Sequence, residues 1–104
     1  MKEIPVTVDN KRWRLAYRPL GYEKPTQPGQ PRKKILGKCD PPNSKDKHIW
    51  IDPQATRDDE CHMRVILHEM LHATVWSLDE AYVDMYSEVA ARTLYRRGFR
   101  LTEG

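Results

Sequence analysis

Apolar and polar positions alternate at the start of the chain. Ile4 to Val8 alternates and is rich in β-branched residues, Asp9-Asn10-Lys11 is turn chemistry, and Trp13, Leu15 and Tyr17 then alternate with Arg12 and Arg14, Arg18 following. This pattern predicts a β-hairpin with one apolar and one basic face. Residues 21–32 hold Pro25, Pro28, Gly29 and Pro31 and predict a loop, long for so short a chain. A short strand is expected over 33–38 around Ile35 and Leu36. Turn residues follow from Cys39 to Ser44, and a further strand is expected from His48 to Asp52 through Ile49, Trp50 and Ile51. Trp50 and Trp76 read as core residues.

The period then changes. From Thr56 to Leu78 the apolar residues Met63, Ile66, Leu67, Met70, Leu71 and Val75 recur at helical spacing. Thr56 is placed to cap this helix with Asp59 three residues on, and Asp58, Asp59 and Glu60 load the first turn with charge that suits the helix dipole. After a break at Ser77-Leu78-Asp79, a second helix is expected from about Glu80 to Arg97. Ser77 or Asp79 is the cap, Val83, Tyr86, Ala90 and Leu94 form the apolar stripe, and Gly98 is the C′ residue. Phe99 and Leu101 are expected to fold back on its last turn. Two helices joined by so short a link pack antiparallel. The expected fold class is therefore α+β: one domain over 1–104, β-rich over 1–53 and helical over 56–98, with a small antiparallel sheet beside the helix pair.

Composition narrows the class. The chain has 104 residues, 32% of them charged, and a net charge of +3. The apolar runs are too short to span a membrane, and Met1 to Pro5 lacks a signal-peptide core, so the cytoplasm is the expected location. Two cysteines far apart, Cys39 and Cys61, read as free thiols. The mild positive charge permits nucleic-acid contact without demanding it. Arg12, Arg14, Arg18, Lys33 and Lys34 lie near Trp13 and Tyr17, but such a pattern is more often a solvated strand face.

The distinctive chemistry is His68-Glu69-Met70-Leu71-His72. Residues four apart share one helix face, so His68 and His72 present two imidazoles to one point, a natural chelate for Zn2+. Glu69 lies about 100° further round the helix, beside the metal, where it can act as general base towards a zinc-activated water. The bland alternative is a pair of polar histidines on an amphipathic helix. The apolar residues flanking them place them at the border of a core instead. A catalytic zinc needs a third protein ligand, and Glu80, Asp84 and Glu88 share one stripe on the second helix. Hairpin height sets Asp84 level with His72 and Glu88 level with His68, while the longer Glu80 reaches in from nearer the turn. His62 and Tyr82 are weaker candidates for polarising a carbonyl, and both read first as packing or surface residues.

Three segments carry a resemblance: Gly37-Lys38-Cys39-Asp40-Pro41-Pro42, the strand Ile49-Trp50-Ile51, and Val65 to Ala73 around the HExxH motif. With the tail Leu94 to Arg100, they look like small phage-encoded metallopeptidases, similar to the SprT-like and ImmA/IrrE-like zincins. The resemblance covers roughly residues 33–101. It implies an α+β zincin with His68 and His72 as ligands, Glu69 as catalytic carboxylate and an acidic third ligand early in the next helix, which favours Glu80 over Asp84. It also implies a peptide or protein substrate and, for a phage-encoded protein, the bacterial host cytoplasm. The alternatives are a zinc-stabilised binding module without turnover, contacting a protein or DNA, and a small zinc nuclease.

Overall fold

Tight turn chemistry sets the first hairpin. In a computed structural model that describes residues 3–101, strand β1 (Ile4–Val8) turns into β2 (Lys11–Tyr17) through Asp9 and Asn10, whose φ angles are 49° and 63°. Both central residues are left-handed, as a two-residue turn matching the twist of antiparallel strands requires. Residues 1, 2 and 102–104, the ends of the single domain expected over 1–104, lie outside the described residues.

The remaining strands are β3 (Gly37–Cys39) and β4 (His48–Ile51), and the sheet order is β1-β2-β4-β3. The class is α+β as expected, but the sheet is mixed. β1 with β2 and β3 with β4 are antiparallel, whereas β4 runs parallel to β2, with Leu15 opposite Ile49 and Tyr17 opposite Ile51. The long connection from residue 18 to 47 makes this pairing accessible, because a parallel neighbour needs a crossover that no tight turn supplies. The third strand also falls later than the expected 33–38. Ile35 instead donates its N–H to Gly21, and Leu36 accepts from the N–H of Asp52. The Asp40 carboxylate closes the β3–β4 turn, accepting from the His48 N–H (3.0 Å) and the Trp50 indole (3.3 Å).

Trp13, Leu15, Ile49 and Ile51 are buried on the sheet and pack with Val65 and Ala73 of the helical layer. Full burial of Ile49 and Ile51 stabilises the fold by about 1.5–3 kcal/mol each. Trp50 lies on the other face, half-buried, stacked on His48 and under the Arg18 guanidinium. Trp76 is exposed, not core as expected, because the chain has already left the helix there.

The first long helix is shorter than the expected Thr56–Leu78. Pro53 opens a separate 3-10 turn (Pro53–Arg57), Asp58 is extended, and α1 runs Asp59–Thr74. Asp58 is the cap, accepting from the Glu60 N–H, while the Thr56 hydroxyl donates to the Pro53 carbonyl. At the other end Val75 leaves the helical region, and residues 75–79 form the link. Asp79 caps α2 (Glu80–Arg96) by accepting from the Ala81 N–H at 2.7 Å. Gly98, at φ 97°, completes a Schellman end: it donates to Tyr95, and Phe99 donates to Leu94. Phe99 and Leu101 stay exposed all the same.

The buried faces are rotated from the expected stripes. In α1 the buried residues are His62, Met63, Val65, Glu69 and Ala73, because β3 lies against Val65 and Glu69; of the expected stripe only Met63 is buried, Ile66, Leu67, Met70 and Leu71 are half-buried, and Val75 is exposed. In α2 it is Val83, Ser87 and Ala91, with Ala90 and Leu94 half-buried and Tyr86 exposed. Small residues let the two helices approach closely. The Ser87 hydroxyl donates to the Val83 carbonyl at 2.7 Å, so its burial leaves no orphaned polar group. No helix among the described residues is long and apolar enough to cross a membrane.

Candidate metal centre

Two consecutive turns of α1 carry the histidines, and the start of α2 brings acids to them. The Nε2 atoms of His68 and His72 are 3.2 Å apart. Glu80 spans both, with Oε1 2.9 Å from His68 Nε2 and Oε2 2.8 Å from His72 Nε2. Asp79 makes this placement possible: by capping α2 immediately before Glu80, it starts the helix at the height of the motif. The three side chains meet at the domain rim, the histidines largely covered and Glu80 exposed.

The donor set fits zinc. Two tetrahedral ligands at the usual Zn–N distance of ~2.05 Å stand about 3.3 Å apart, close to the observed separation of the two imidazole nitrogens. The contacts to Glu80 have hydrogen-bond lengths and would open by about half an ångström around an ion.

Asp84 does different work. Its Oδ1 lies 3.1 Å from Nδ1 of His68, the ring nitrogen that faces away from Glu80 and His72. One imidazole offers one nitrogen to a metal while the other is held by a hydrogen-bond partner, which fixes tautomer and ring orientation. His68 therefore belongs to two clusters, one with Glu69 and His72 and one with Glu80 and Asp84. The shared Nε2 environment favours Glu80 as the third ligand and Asp84 as the acceptor behind His68. Glu88 is turned elsewhere and binds Arg92 at 2.7 Å.

Glu69 is buried beneath the histidines, its Oε2 3.8 Å from His68 Nε2. Burial, then the negative charges of Glu80 and Asp84, push its carboxyl up to about 8. A bound cation at the histidines opposes that shift by favouring the ionised form. A cleft of about 440 Å³ opens beside these groups, walled by Ile35, Leu36 and Gly37 on one side and by Arg64 and Val65 on the other. A larger hollow of about 750 Å³ lies between the first hairpin and residues 45–48; it is lined by Arg12 and Arg14 but by none of the candidate metal-site residues.

The other candidates lie away from the centre. His62 is buried with its Nε2 2.8 Å from the Tyr17 hydroxyl, and Tyr82 is exposed and stacked on Tyr86. Cys39 and Cys61 are both free thiols. Of the basic positions, Arg14 pairs with Glu3, Arg18 covers Trp50 and Lys34 binds Asp52. Sequence reasoning missed the role of Gly37, where a Cβ would come within 2.8 Å of Glu69 Oε2 and 2.6 Å of Val65 Cγ1. Nothing in the local pattern around Gly37 marks it, since the contact exists only once β3 lies across α1.

Comparison of the chain with family models, with curated proteins and with solved structures gives no match.

Proposed function

We propose that this chain is a zinc-dependent hydrolase, a metallopeptidase that acts in the cytoplasm of the cell that makes it. The observation that carries the reading is the meeting of His68 Nε2, His72 Nε2 and Glu80 above the buried Glu69. The resemblance of the motif helix to small phage zincins agrees with it. When bound, zinc polarises a carbonyl and makes a water more acidic. His68, His72 and Glu80 hold the ion, and Asp84 keeps the His68 ring oriented. Glu69 accepts the proton of the attacking water and delivers it to the leaving amine. Its covered position keeps bulk water from competing for that proton.

A peptide fits the surroundings. β3 is the outermost strand of the sheet on the side of the centre, and the cleft runs along the segment that leads into it. An extended chain laid along such an edge gains backbone hydrogen bonds. The test is Glu69→Gln in the zinc-loaded protein, assayed on an unstructured polypeptide with RNA and DNA in parallel. Zinc content should stay the same, and peptide cleavage should fall by about 10²–10⁴-fold. Undiminished cleavage by the variant contradicts the mechanism, and cleavage confined to nucleic acid contradicts the substrate class.

A further inference from the structure

Charge is divided between the two layers of the fold. Residues 1–53 carry twelve lysines and arginines against six acids, a balance of +6, whereas residues 54–104 carry six against nine, a balance of −3. The sheet gathers much of its excess on one face. The helices cover the face that bears Trp13, Leu15, Ile49 and Ile51. Side chains alternate along a strand, so Arg12, Arg14, His48, Trp50 and Lys38 belong to the opposite face. The register sets them side by side: Arg14 lies opposite His48, and Trp50 lies opposite Lys38. Arg12, Arg14, Arg18 and Lys38 are all exposed.

The acids on this side are few. Glu3 is held by Arg14 at 2.9 Å, Asp40 accepts from the His48 N–H and the Trp50 indole, and Asp46 lies on the rim of the hollow between the hairpin and residues 45–48. Arg12, Lys38 and Lys45 pair with no carboxylate among the described residues. Flat groups stand amid this charge. The Trp50 indole is stacked on the His48 ring, centroids 4.4 Å apart and 13° from parallel, and the Arg18 guanidinium lies 3.8 Å over the indole.

Unneutralised cations take phosphates, and an exposed guanidinium held on an aromatic ring stacks a nucleobase. An acidic peptide or a lipid headgroup uses the charges but has no use for the flat column. Stacking also needs an unpaired base, which selects a single strand over a duplex. We propose that the open face of the sheet binds single-stranded nucleic acid, with phosphates on Arg12, Arg14, Lys45 and Lys38 and a base stacked on Arg18. The hollow of about 750 Å³, lined by Arg12, Arg14, Lys45 and Lys47, is the groove in which the backbone enters. From Arg12 to Arg18 the path along β2 is about 20 Å, so the site is short, near the lower end of the ~4–16 nucleotides such surfaces cover. This face lies across the sheet from the helices that carry His68 and His72. A bound strand therefore leaves the metal centre open and does not depend on it.

Fluorescence anisotropy of a labelled oligothymidylate, titrated with the full chain, tests this. The expected dissociation constant is about 10⁻⁶–10⁻⁵ M at about 50 mM salt, and log K should fall against log salt with a slope of about −3, as four phosphate contacts require. Arg12→Glu with Lys38→Glu should weaken binding at least tenfold and make the slope shallower by about 1.4. Arg96→Glu with Arg97→Glu makes the same change of net charge at the end of α2 and should leave the affinity within about twofold. Should the sheet variant lose its circular dichroism, Arg12→Gln decides alone, by a slope about 0.7 shallower than the parent's. Absence of binding at low salt overturns the proposal, as does equal loss in the two double variants. Binding as tight to a duplex, to polyglutamate or to phosphatidylserine vesicles as to the single strand overturns it too.

Discussion

Gly37 and Glu69 share one small volume: a methyl group on residue 37 would stand 2.8 Å from the carboxylate oxygen of Glu69 and 2.9 Å from its Cγ. The proposed general base is thus backed closely by a strand with no side chain at that point. Gly37→Ala should push Glu69 off its position while leaving His68, His72 and Glu80 untouched. The expected result is zinc affinity within a fewfold of the parent and kcat lowered by about 10²-fold, the usual consequence of a misplaced catalytic group. Steady-state kinetics with a competitive zinc titration checks it, and an unchanged kcat contradicts the contact.

The acids of α2 should separate by role. Glu80→Ala removes a proposed ligand and should abolish stoichiometric zinc binding, as should His72→Ala. Asp84→Ala removes only the partner of His68 Nδ1 and should weaken zinc by about 10–100-fold. Glu88→Ala, which breaks only a surface pair with Arg92, should change affinity little. Isothermal titration of the four variants gives the ranking, and equal losses at Asp84 and Glu88 would contradict the assignment.

Asp52 joins the two layers. Its carboxylate accepts from the Leu20 N–H, the Lys34 ammonium and the Gln54 N–H at 2.7–2.8 Å, and it caps the 3-10 turn that leads into α1. Burial alone would raise its carboxyl, but Lys34 and the two backbone donors outweigh that and hold it below its ordinary value of 3.8. Because the folded value is depressed, the stabilisation is fully present above the unfolded value, near pH 4, and is lost as pH falls through the folded one. Asp52→Ala should cost about 1–3 kcal/mol at neutral pH and flatten the acid limb of the stability curve. Urea unfolding from pH 7 down to pH 3 measures both.

Cys39 should behave as an inert thiol. It is buried in β3, and burial, then the nearby Glu69 and Asp40, push it up to about 12. At pH 8 an alkylating reagent should leave Cys39 unmodified in the folded protein and label it only after denaturation. Peptide mapping by mass spectrometry reads this directly, and rapid labelling of the native protein would contradict the burial.

Local signals were legible in the sequence. Asp9-Asn10 announced the first turn, the period around His68 and His72 announced α1, and Gly98 announced the end of α2. Long-range choices were not. Parallel pairing of β2 with β4 depends on how residues 18–47 travel, which alternation does not encode. The rotation of α1 that buries Val65 and Glu69 is decided by where β3 lands. Thr56 with Asp59 pointed to the helical start, yet Thr56 falls in the 3-10 turn and the extended Asp58 splits that turn from α1, a tertiary outcome. The histidine pair was visible from spacing alone. Choosing among Glu80, Asp84 and Glu88 was not, because hairpin height ignores side-chain length and the tight cap at Asp79. In the structure the longest reach, Glu80, meets both Nε2 atoms, and the residue level with His72 by height meets the back of His68 instead.

The most direct test of the central claim is a crystal structure of the zinc-loaded protein with anomalous data at the zinc edge. The account predicts one strong peak bonded to His68 Nε2, His72 Nε2 and a Glu80 oxygen, with no protein group in the fourth position and Asp84 on His68 Nδ1. A peak closed by four protein ligands, a peak on His68 Nδ1, or no peak at the histidine pair would contradict it.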